Sequence, residues 1–215
     1  MRISLVYRVL LFALALVALN SSALVAQDSG WQFRLRGIAV VADESADISA
    51  ISGDIEIDEA IVPELDISYL FSPNVSVELI LATSKHDVKA IGTDVGDVDI
   101  GSVWALPPTV TLQYRFAPTA TVRPYVGAGV NLTLFHSESV PGDPVTAADY
   151  DSSIGVAFQG GLDIPLGDGD WFINLDVKKI FMSSDVTLDT TLGTVAAAVD
   201  IDPWVIGAGV GLTVQ

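Results

Sequence analysis

The chain has no cysteine and little positive charge, and both shortages narrow its possible functions. Without cysteine it forms no disulfide and offers no thiol for catalysis or metal binding. Ten Lys and Arg residues stand against 27 Asp and Glu residues, so the formal net charge at pH 7 is −17. A nucleic acid is therefore excluded as a partner, because its phosphates need a basic surface.

Long hydrophobic runs are scarce as well, although hydrophobic residues make up 50% of the 215 residues. The mean hydropathy is +0.51, which is high for a soluble protein. Beyond the N-terminal segment, no run reaches the roughly 18 apolar residues that a membrane-spanning helix needs. If the chain crosses a membrane, it has to do so as a closed β-barrel, since lipid leaves any other backbone without hydrogen-bond partners.

The first 26 residues have the pattern of a secretory signal peptide. Arg2 and Arg8 precede the apolar core 9–19, and the small residue Ala26 follows a short polar stretch. We expect cleavage after Ala26, or less readily after Ala23. An uncleaved membrane anchor is the alternative, and it is disfavoured because the apolar core is too short for one. Removal of the two arginines changes the formal net charge from −17 to −19.

Alternation of apolar and polar residues is the strongest pattern in the rest of the chain. The stretch 106–135 shows it twice, on either side of a five-residue break at 117–121. A period of two places one set of side chains on each face of a strand. In the first run the apolar face has Val110, Leu112, Tyr114 and Phe116, and the polar face has Thr109, Thr111, Gln113 and Arg115.

Eight segments of this kind follow one another along the chain. Their connections alternate between long and short, as in outer-membrane barrels with short periplasmic turns and long outer loops. The long connections are predicted to be loops and cover 43–59, 85–102, 137–151 and 183–202, the first with seven acidic residues. The predicted strands are 31–41, 61–71, 75–82, 109–116, 122–135, 154–166, 171–181 and 203–214.

Charged residues at alternate positions decide which face of each strand points to lipid. In the first strand Arg34 and Arg36 alternate with Phe33 and Leu35. An arginine at the middle of the bilayer costs roughly 2–4 kcal/mol, so these arginines are predicted to face the lumen. A soluble lipocalin-like barrel would instead enclose all the apolar faces, and the aromatic residues are too bulky for that interior. The sequence therefore predicts an all-β protein, an eight-stranded antiparallel transmembrane β-barrel of residues 27–215 in the bacterial outer membrane.

Several motifs resemble the OmpW family of bacterial outer-membrane proteins. They are LPPTVTLQYRF from Leu106, RPYVGAGVN from Arg123 and IDPW from Ile201, with further likeness at NVSVELILAT from Asn74 and GDWFINLDVK from Gly169. The resemblance covers most of the chain after the signal peptide. It implies an eight-stranded barrel with a narrow, largely apolar lumen, and a role in the passage of small hydrophobic molecules across the outer membrane.

The chain departs from the family pattern at two places. Its last four residues are LTVQ, where family members usually end in an aromatic residue that the barrel-assembly machinery recognises. The inward face of the seventh strand has Asn174, Asp176 and Lys178, where an apolar constriction is expected.

The side chains predicted to line the lumen are mostly charged, and they allow two interpretations. They form either a polar gate or a structural ion network, because buried charges have to be paired. The narrow bore of eight strands favours the network. Arg123 and Asp163 are further candidates for its ion pairs. The predicted lumen-lining residues are Arg34, Arg36, Glu64, Asp66, Leu70, Glu78, Ile80, Gln113, Arg115, Phe135, Asp176 and Lys178.

Residues that could support catalysis or bind a metal are few. His86 and His136 are predicted at the outer ends of strands, near Ser84 and Ser137, but no serine has the context of a nucleophile elbow. Solvated residues beside loops are the simpler interpretation. We predict no enzyme activity, cofactor or metal: the glycines at 207–211 precede no helix, and calcium-loop spacing is lacking at Asp94, Asp97 and Asp99.

Two functions are consistent with these patterns. The first is passage of small hydrophobic solutes from outside into the lumen, with sideways release into the bilayer, through inward apolar residues such as Leu70, Ile80 and Phe135. The alternative is a structural or surface-interaction barrel, whose loops act as a receptor or adhesive surface without transport. Both imply contact with outer-membrane lipid and lipopolysaccharide, and insertion by the barrel-assembly machinery.

Overall fold

The structure, a computed structural model, describes residues 29–48, 53–94, 96–191 and 193–214. The predicted signal peptide, residues 1–26, lies outside the described residues. Within these ranges, no helix is long and apolar enough to cross a membrane.

Fifteen β-strands run through the described part of the chain. Short turns at 71–74, 116–122 and 166–170 connect some of them, and these correspond to the short connections of the sequence pattern. The strands are β1 (Gly30–Val41), β2 (Ser45–Ile48), β3 (Asp54–Ile57), β4 (Ala60–Leu70), β5 (Val75–Ala82), β6 (Ser84–Ile91), β7 (Val98–Leu106), β8 (Thr109–Arg115), β9 (Arg123–Ser139), β10 (Val145–Tyr150), β11 (Ser153–Pro165), β12 (Trp171–Phe181), β13 (Ser183–Thr190), β14 (Gly193–Asp200) and β15 (Trp204–Val214).

Eight of these strands close into an antiparallel barrel. Wall strands pair in the order β1-β4-β5-β8-β9-β11-β12-β15, and β15 returns to β1. The closing ladder runs without interruption from Trp31 opposite Val214 to Val41 opposite Trp204. Each wall strand thus has a partner on both sides, which leaves the wall without a free edge strand. The predicted eight-stranded antiparallel barrel is confirmed.

Apolar side chains cover the outer face of this barrel, and polar side chains fill its interior. On β8, for example, Leu112 is 60% exposed and Gln113 is 1% exposed. The alternation predicted from the sequence therefore has the orientation of a membrane barrel, with its apolar side turned outward.

Aromatic rings mark both ends of the apolar band. At the end with the short turns, Tyr69 lies between Trp31 and Phe71, with ring centroids 5.0 and 5.1 Å away. At the opposite end, the ring of Trp104 packs against His136 at a centroid distance of 6.4 Å. Aromatic girdles of this kind lie at the two interfaces of a bilayer.

The four segments predicted to be long loops are largely β-structure, so that prediction was wrong. They contain β2 and β3, β6 and most of β7, the end of β9 with β10, and β13 with β14. Strands β10, β13, β14 and β2 form a second sheet, and β3, β6 and β7 join the outer part of β9. We call these strands beyond the barrel wall the outer extension.

The alternation in the outer extension has the opposite sense to that in the barrel. Val88 and Ala90 of β6 are buried, and Lys89 between them is exposed. The polar outer face of the extension is suited to water, above the apolar band of the barrel. The acidic and glycine residues that suggested loops are therefore the outward faces and turns of these strands. The core of the extension includes Ile55, Val88, Ile100, Val145, Val186 and Val199.

The inward orientation of the extension core can be tested by introducing a charge. Val186→Asp buries a carboxylate among apolar side chains, which weakens the second sheet. We expect limited proteolysis within 137–151 and 183–202 to become about tenfold faster or more, while the barrel stays folded. A tenfold faster rate corresponds to a decrease of ~1.4 kcal/mol in the free energy of local opening. Thr187→Asp is the matched control, because this neighbouring side chain points outward. Equal cleavage of the two variants would contradict the assigned faces.

Candidate functional site

The interior of the barrel changes from ionic to apolar near Ile80. On the inward face of β5, Glu78 lies on one side of Ile80 and Ala82 on the other, and Ile80 itself is 3% exposed. We call the ionic part the ionic plug. It is defined by nine buried charged side chains on β1, β4, β5, β8, β11 and β12, which are Arg34, Arg36, Glu64, Asp66, Glu78, Arg115, Asp163, Asp176 and Lys178.

Arg34 connects opposite walls of the barrel within the plug. Its Nη1 lies 2.7 Å from Glu78 Oε1 on β5, and its Nη2 lies 3.3 Å from Asp163 Oδ2 on β11. Asp163 also accepts a hydrogen bond from Arg115 Nη1 at 2.8 Å. Side chains from four strands therefore meet across the lumen, which leaves no room for an aqueous path at this height.

A second group of ion pairs lies nearer the apolar part. Arg36 Nε lies 2.9 Å from Glu64 Oε1, and Arg36 Nη2 lies 2.8 Å from Asp66 Oδ2. Lys178 Nζ contacts Glu64 Oε1 and Asp176 Oδ1, both at 2.9 Å. Glu64 and Lys178 also line the cavity above, so this pair forms the floor of the apolar part.

Neutral polar side chains complete the plug. Glu78 Oε2 accepts hydrogen bonds from Gln113 Nε2 at 2.6 Å and from Gln159 Nε2 at 2.8 Å. Gln32 Oε1 accepts from Arg115 Nη2 at 2.6 Å. Such bonds satisfy charges that would otherwise be buried at high cost.

Two aromatic residues in the plug were missed by the sequence analysis. Tyr125 is 1% exposed and donates a hydrogen bond to Asp176 Oδ2 at 2.6 Å. Phe172 is also buried, and the guanidinium of Arg34 lies 5.4 Å from its ring centroid. Both residues have the inward parity of their strands, which is the signal that could have found them. Gly211 makes room for Phe172, because a Cβ at Gly211 would lie 2.1 Å from that ring.

The structure places the predicted lumen residues inside the barrel but at different heights. Ile80 and Phe135 line the apolar cavity, whereas Leu70 lies at the opposite end of β4, next to the short turns. Arg123 is a correction: its Nε donates to the carbonyl of Ala120 in a short turn, and it joins no ion pair of the described residues. The other predicted residues lie at the level of the ionic plug. The charged ones are members of it, and Gln113 donates a hydrogen bond to Glu78 within it.

Above the plug, an apolar cavity of about 110 Å³ extends from the barrel into the outer extension. For comparison, an engineered apolar cavity of roughly 150 Å³ holds a benzene molecule. The lumen is therefore only partly apolar, which corrects the largely apolar lumen that the family resemblance implied. Among the lining residues are Ile38, Ile80, Val103, Phe135, Ile180 and Val199.

The polar groups that line this cavity are tied to the protein itself. His86, expected to be solvated, is half-buried, and its Nδ1 and Nε2 lie 2.8 Å from Asp58 O and from Ser84 Oγ. Thr133 Oγ1 donates to Asn131 Oδ1 at 2.8 Å. The cavity thus presents mainly apolar surface to an occupant.

Tyr150 of the outer extension remains neutral beside the cavity. Burial raises the pKa of its hydroxyl to about 12, and the nearby carboxylate of Glu138 acts in the same direction. Its ring lies 5.8 Å from that of Phe135, measured between centroids. An aromatic pair therefore forms part of the cavity wall without adding charge.

The hydrogen-bonded wall is interrupted next to the cavity. The ladder between β5 and β8 ends at Ile80 opposite Thr109, and pairing resumes between β6 and β7 at Ser84 opposite Ala105. The interval contains Pro107 and Pro108, and proline has no N–H to donate. Both Pro107 and Ala82 line the cavity, so the cavity reaches this break in the wall.

An outward apolar band, aromatic girdles and a charged interior together define a bacterial outer-membrane β-barrel. The sequence profile of the OmpW family matches residues 28–214, and the chain belongs to the OmpW family. The predicted family and the predicted location in the outer membrane are confirmed.

Individual relatives agree with this assignment. The chain is 41% identical over 196 residues to an uncharacterized outer-membrane protein, y4mB, of Sinorhizobium fredii. The matched residues make up 90% of this chain and 84% of the relative. The chain is 34% identical over 199 residues to outer membrane protein W of Vibrio cholerae, covering 88% and 91%. Among solved structures, the outer membrane protein OprG of Pseudomonas aeruginosa has the same fold, with a TM-score of 0.80 at 24% identity over 87% and 96% of the two chains.

The contribution of the plug to stability can be measured by removing one arginine. Arg34→Met leaves Glu78 and Asp163 without a shared cation, and loss of one partner from a buried ion pair costs about 3–5 kcal/mol. We expect the free energy of unfolding to fall by this amount, measured by urea unfolding in lipid bilayers with tryptophan fluorescence as the signal. Arg123→Met is the control and should change stability little, because Arg123 lies in no described ion pair. A similar effect of both variants would argue against the plug.

Proposed function

We propose that this protein lets small hydrophobic molecules enter the outer membrane from outside, through the cavity of the outer extension. The observation that supports this is an apolar cavity that ends on a closed ionic floor. A hydrophobic solute can lower its free energy in the cavity, because burial of apolar surface is favourable. It cannot proceed through the plug without displacing several ion pairs.

The exit for such a solute is the break in the wall at Pro107 and Pro108. There the cavity adjoins the hydrocarbon at the upper edge of the apolar band. No backbone ladder has to open, although a hydrogen bond from Thr83 Oγ1 to the Ala105 carbonyl, 3.2 Å long, crosses the interval. Transfer from the cavity to lipid keeps an apolar molecule in an apolar environment throughout. The solute is therefore released sideways into the membrane.

Relatives support an apolar cargo. The chain is 28% identical over 195 residues to PahQ of Pseudomonas aeruginosa, which is named as a dibenzothiophene metabolism operon protein, covering 86% of this chain and 89% of the relative. Dibenzothiophene is a small apolar aromatic molecule. The apolar lining of the cavity is compatible with cargo of this chemical class.

The surroundings of the protein follow from its surface. We propose that the acidic outer face of the extension stands among lipopolysaccharide headgroups, bridged to them by divalent cations. Insertion by the barrel-assembly machinery is part of the same proposal.

Filling the cavity tests the proposed passage. Ile80→Trp places a large ring at the bottom of the cavity, so binding of an apolar fluorophore and its transfer into vesicle lipid should fall about tenfold or more, or ~1.4 kcal/mol. Leu70→Trp is the matched control: its side chain is also inward, but it lies away from the cavity.

Two outcomes of this experiment contradict passage. Equal transfer by the two variants would show that the cavity is not the route. A wild-type protein that neither binds nor transfers the fluorophore would favour a structural or adhesive barrel instead.

We also propose that transfer involves no chemical step. The imidazole of His86 links Asp58 to Ser84, and in this interpretation the link is structural. Hydrolysis of a short apolar ester by the wild type should equal that by Ser84→Ala. A wild-type rate that disappears in Ser84→Ala and in His86→Ala would instead identify an esterase.

A further inference from the structure

The ionic plug has one more negative than positive side chain. Its described members are four cations and five carboxylates, each at most 5% exposed. An uncompensated charge in a dry interior is very costly, so a buried group takes up a partner or becomes neutral instead. The plug therefore needs one additional positive charge.

Hydrogen bonding identifies the carboxylate that lacks compensation. Glu78 accepts four side-chain hydrogen bonds, Asp163 accepts three and Asp176 accepts two. Asp66 is 0% exposed, and Arg36 Nη2 approaches its Oδ2 at 2.8 Å. Neither oxygen of Asp66 has an aligned hydrogen-bond donor among the described residues, so this contact is electrostatic only.

The groups around Asp66 do not supply the missing charge. Arg36 and Lys178 are the cations that face it, but both are shared with Glu64. Lys178 Nζ donates a hydrogen bond to Glu64 Oε1 at 2.9 Å, and Arg36 Nε lies 2.9 Å from the same oxygen, again without an aligned hydrogen bond. Glu64 on its own strand and Glu78 on β5 face Asp66 as like charges. The other titratable groups of the plug, farther across the lumen, are Arg34, Arg115, Tyr125, Asp163 and Asp176.

We propose that Asp66 is the binding site for one compensating positive charge, which is either a proton on its carboxylate or an alkali-metal ion held against it. Buried water alone could donate hydrogen bonds to the two oxygens, which lack an aligned donor, but it would leave the charge imbalance. With the positive charge bound, the plug is neutral and sits stably within the membrane. This site is independent of solute passage, which takes place above the plug.

Infrared spectroscopy of the folded protein tests for the proton. With ¹³C-labelled aspartate, the wild type at neutral pH should show the C=O stretch of one protonated aspartic acid. Asp66→Asn should remove this band. The wild-type spectrum is informative even if the variant does not fold.

Thermal unfolding in different salts tests for the metal ion. If an alkali-metal ion is bound, the wild type should have no acid band and should melt higher in NaCl or KCl than in choline chloride at equal ionic strength. This difference should disappear in Asp66→Asn. Wild-type melting that is independent of the cation, together with an absent acid band, would overturn the proposal.

The stability of Asp66→Asn provides a further test. The neutral side chain removes the excess charge, so the variant should melt at or above the wild-type temperature. Asp163→Asn is the control: it leaves Arg34 and Arg115 without their shared carboxylate and should melt several degrees lower. If Asp66→Asn is destabilised as much as Asp163→Asn, Asp66 is an ordinary member of the ion network and the site does not exist.

Discussion

Charge pairing inside a narrow, dry barrel is the constraint on which the other features depend. Eight strands enclose only enough space for side chains, so an inward ion has neither water nor lipid headgroups to solvate it. Arg34 and Arg36 must therefore find carboxylates on other strands, and these contacts join β1 to β4, β5, β11 and β12. The same contacts close the lower lumen, which gives the apolar cavity a floor.

Reversal of the alternation explains how the strands of one chain can serve two environments. In the barrel the apolar side chains face lipid and the polar side chains pair inside, whereas in the outer extension the polar side chains face water and the apolar side chains line a cavity. The change occurs near Ile80 and the two prolines at 107–108, where the ladder is also interrupted. Membrane boundary, cavity floor and wall break therefore lie close together.

The sequence predicted the barrel well because a period of two is a local property. It identified the inward parity of Arg34, Asp66 and Lys178, but it could not say which acid pairs with which cation. That pairing depends on the register between strands, which is set around the closed barrel. The outer extension was missed because acidic outward faces and glycine turns resemble loops in composition. Arg123 was misplaced because inward parity near a strand end does not ensure a position in the plug.

The most direct test of the proposed apolar route is to locate a bound apolar molecule in the folded protein. A brominated apolar ligand, located by anomalous diffraction from the folded protein, should give one bromine peak between Ile80 and Phe135, above the Glu64–Lys178 pair. Occupancy extending from there toward Pro107 is also expected. A peak among Arg34, Glu78 and Asp163 would contradict the account, because it would place an apolar path through the ionic plug.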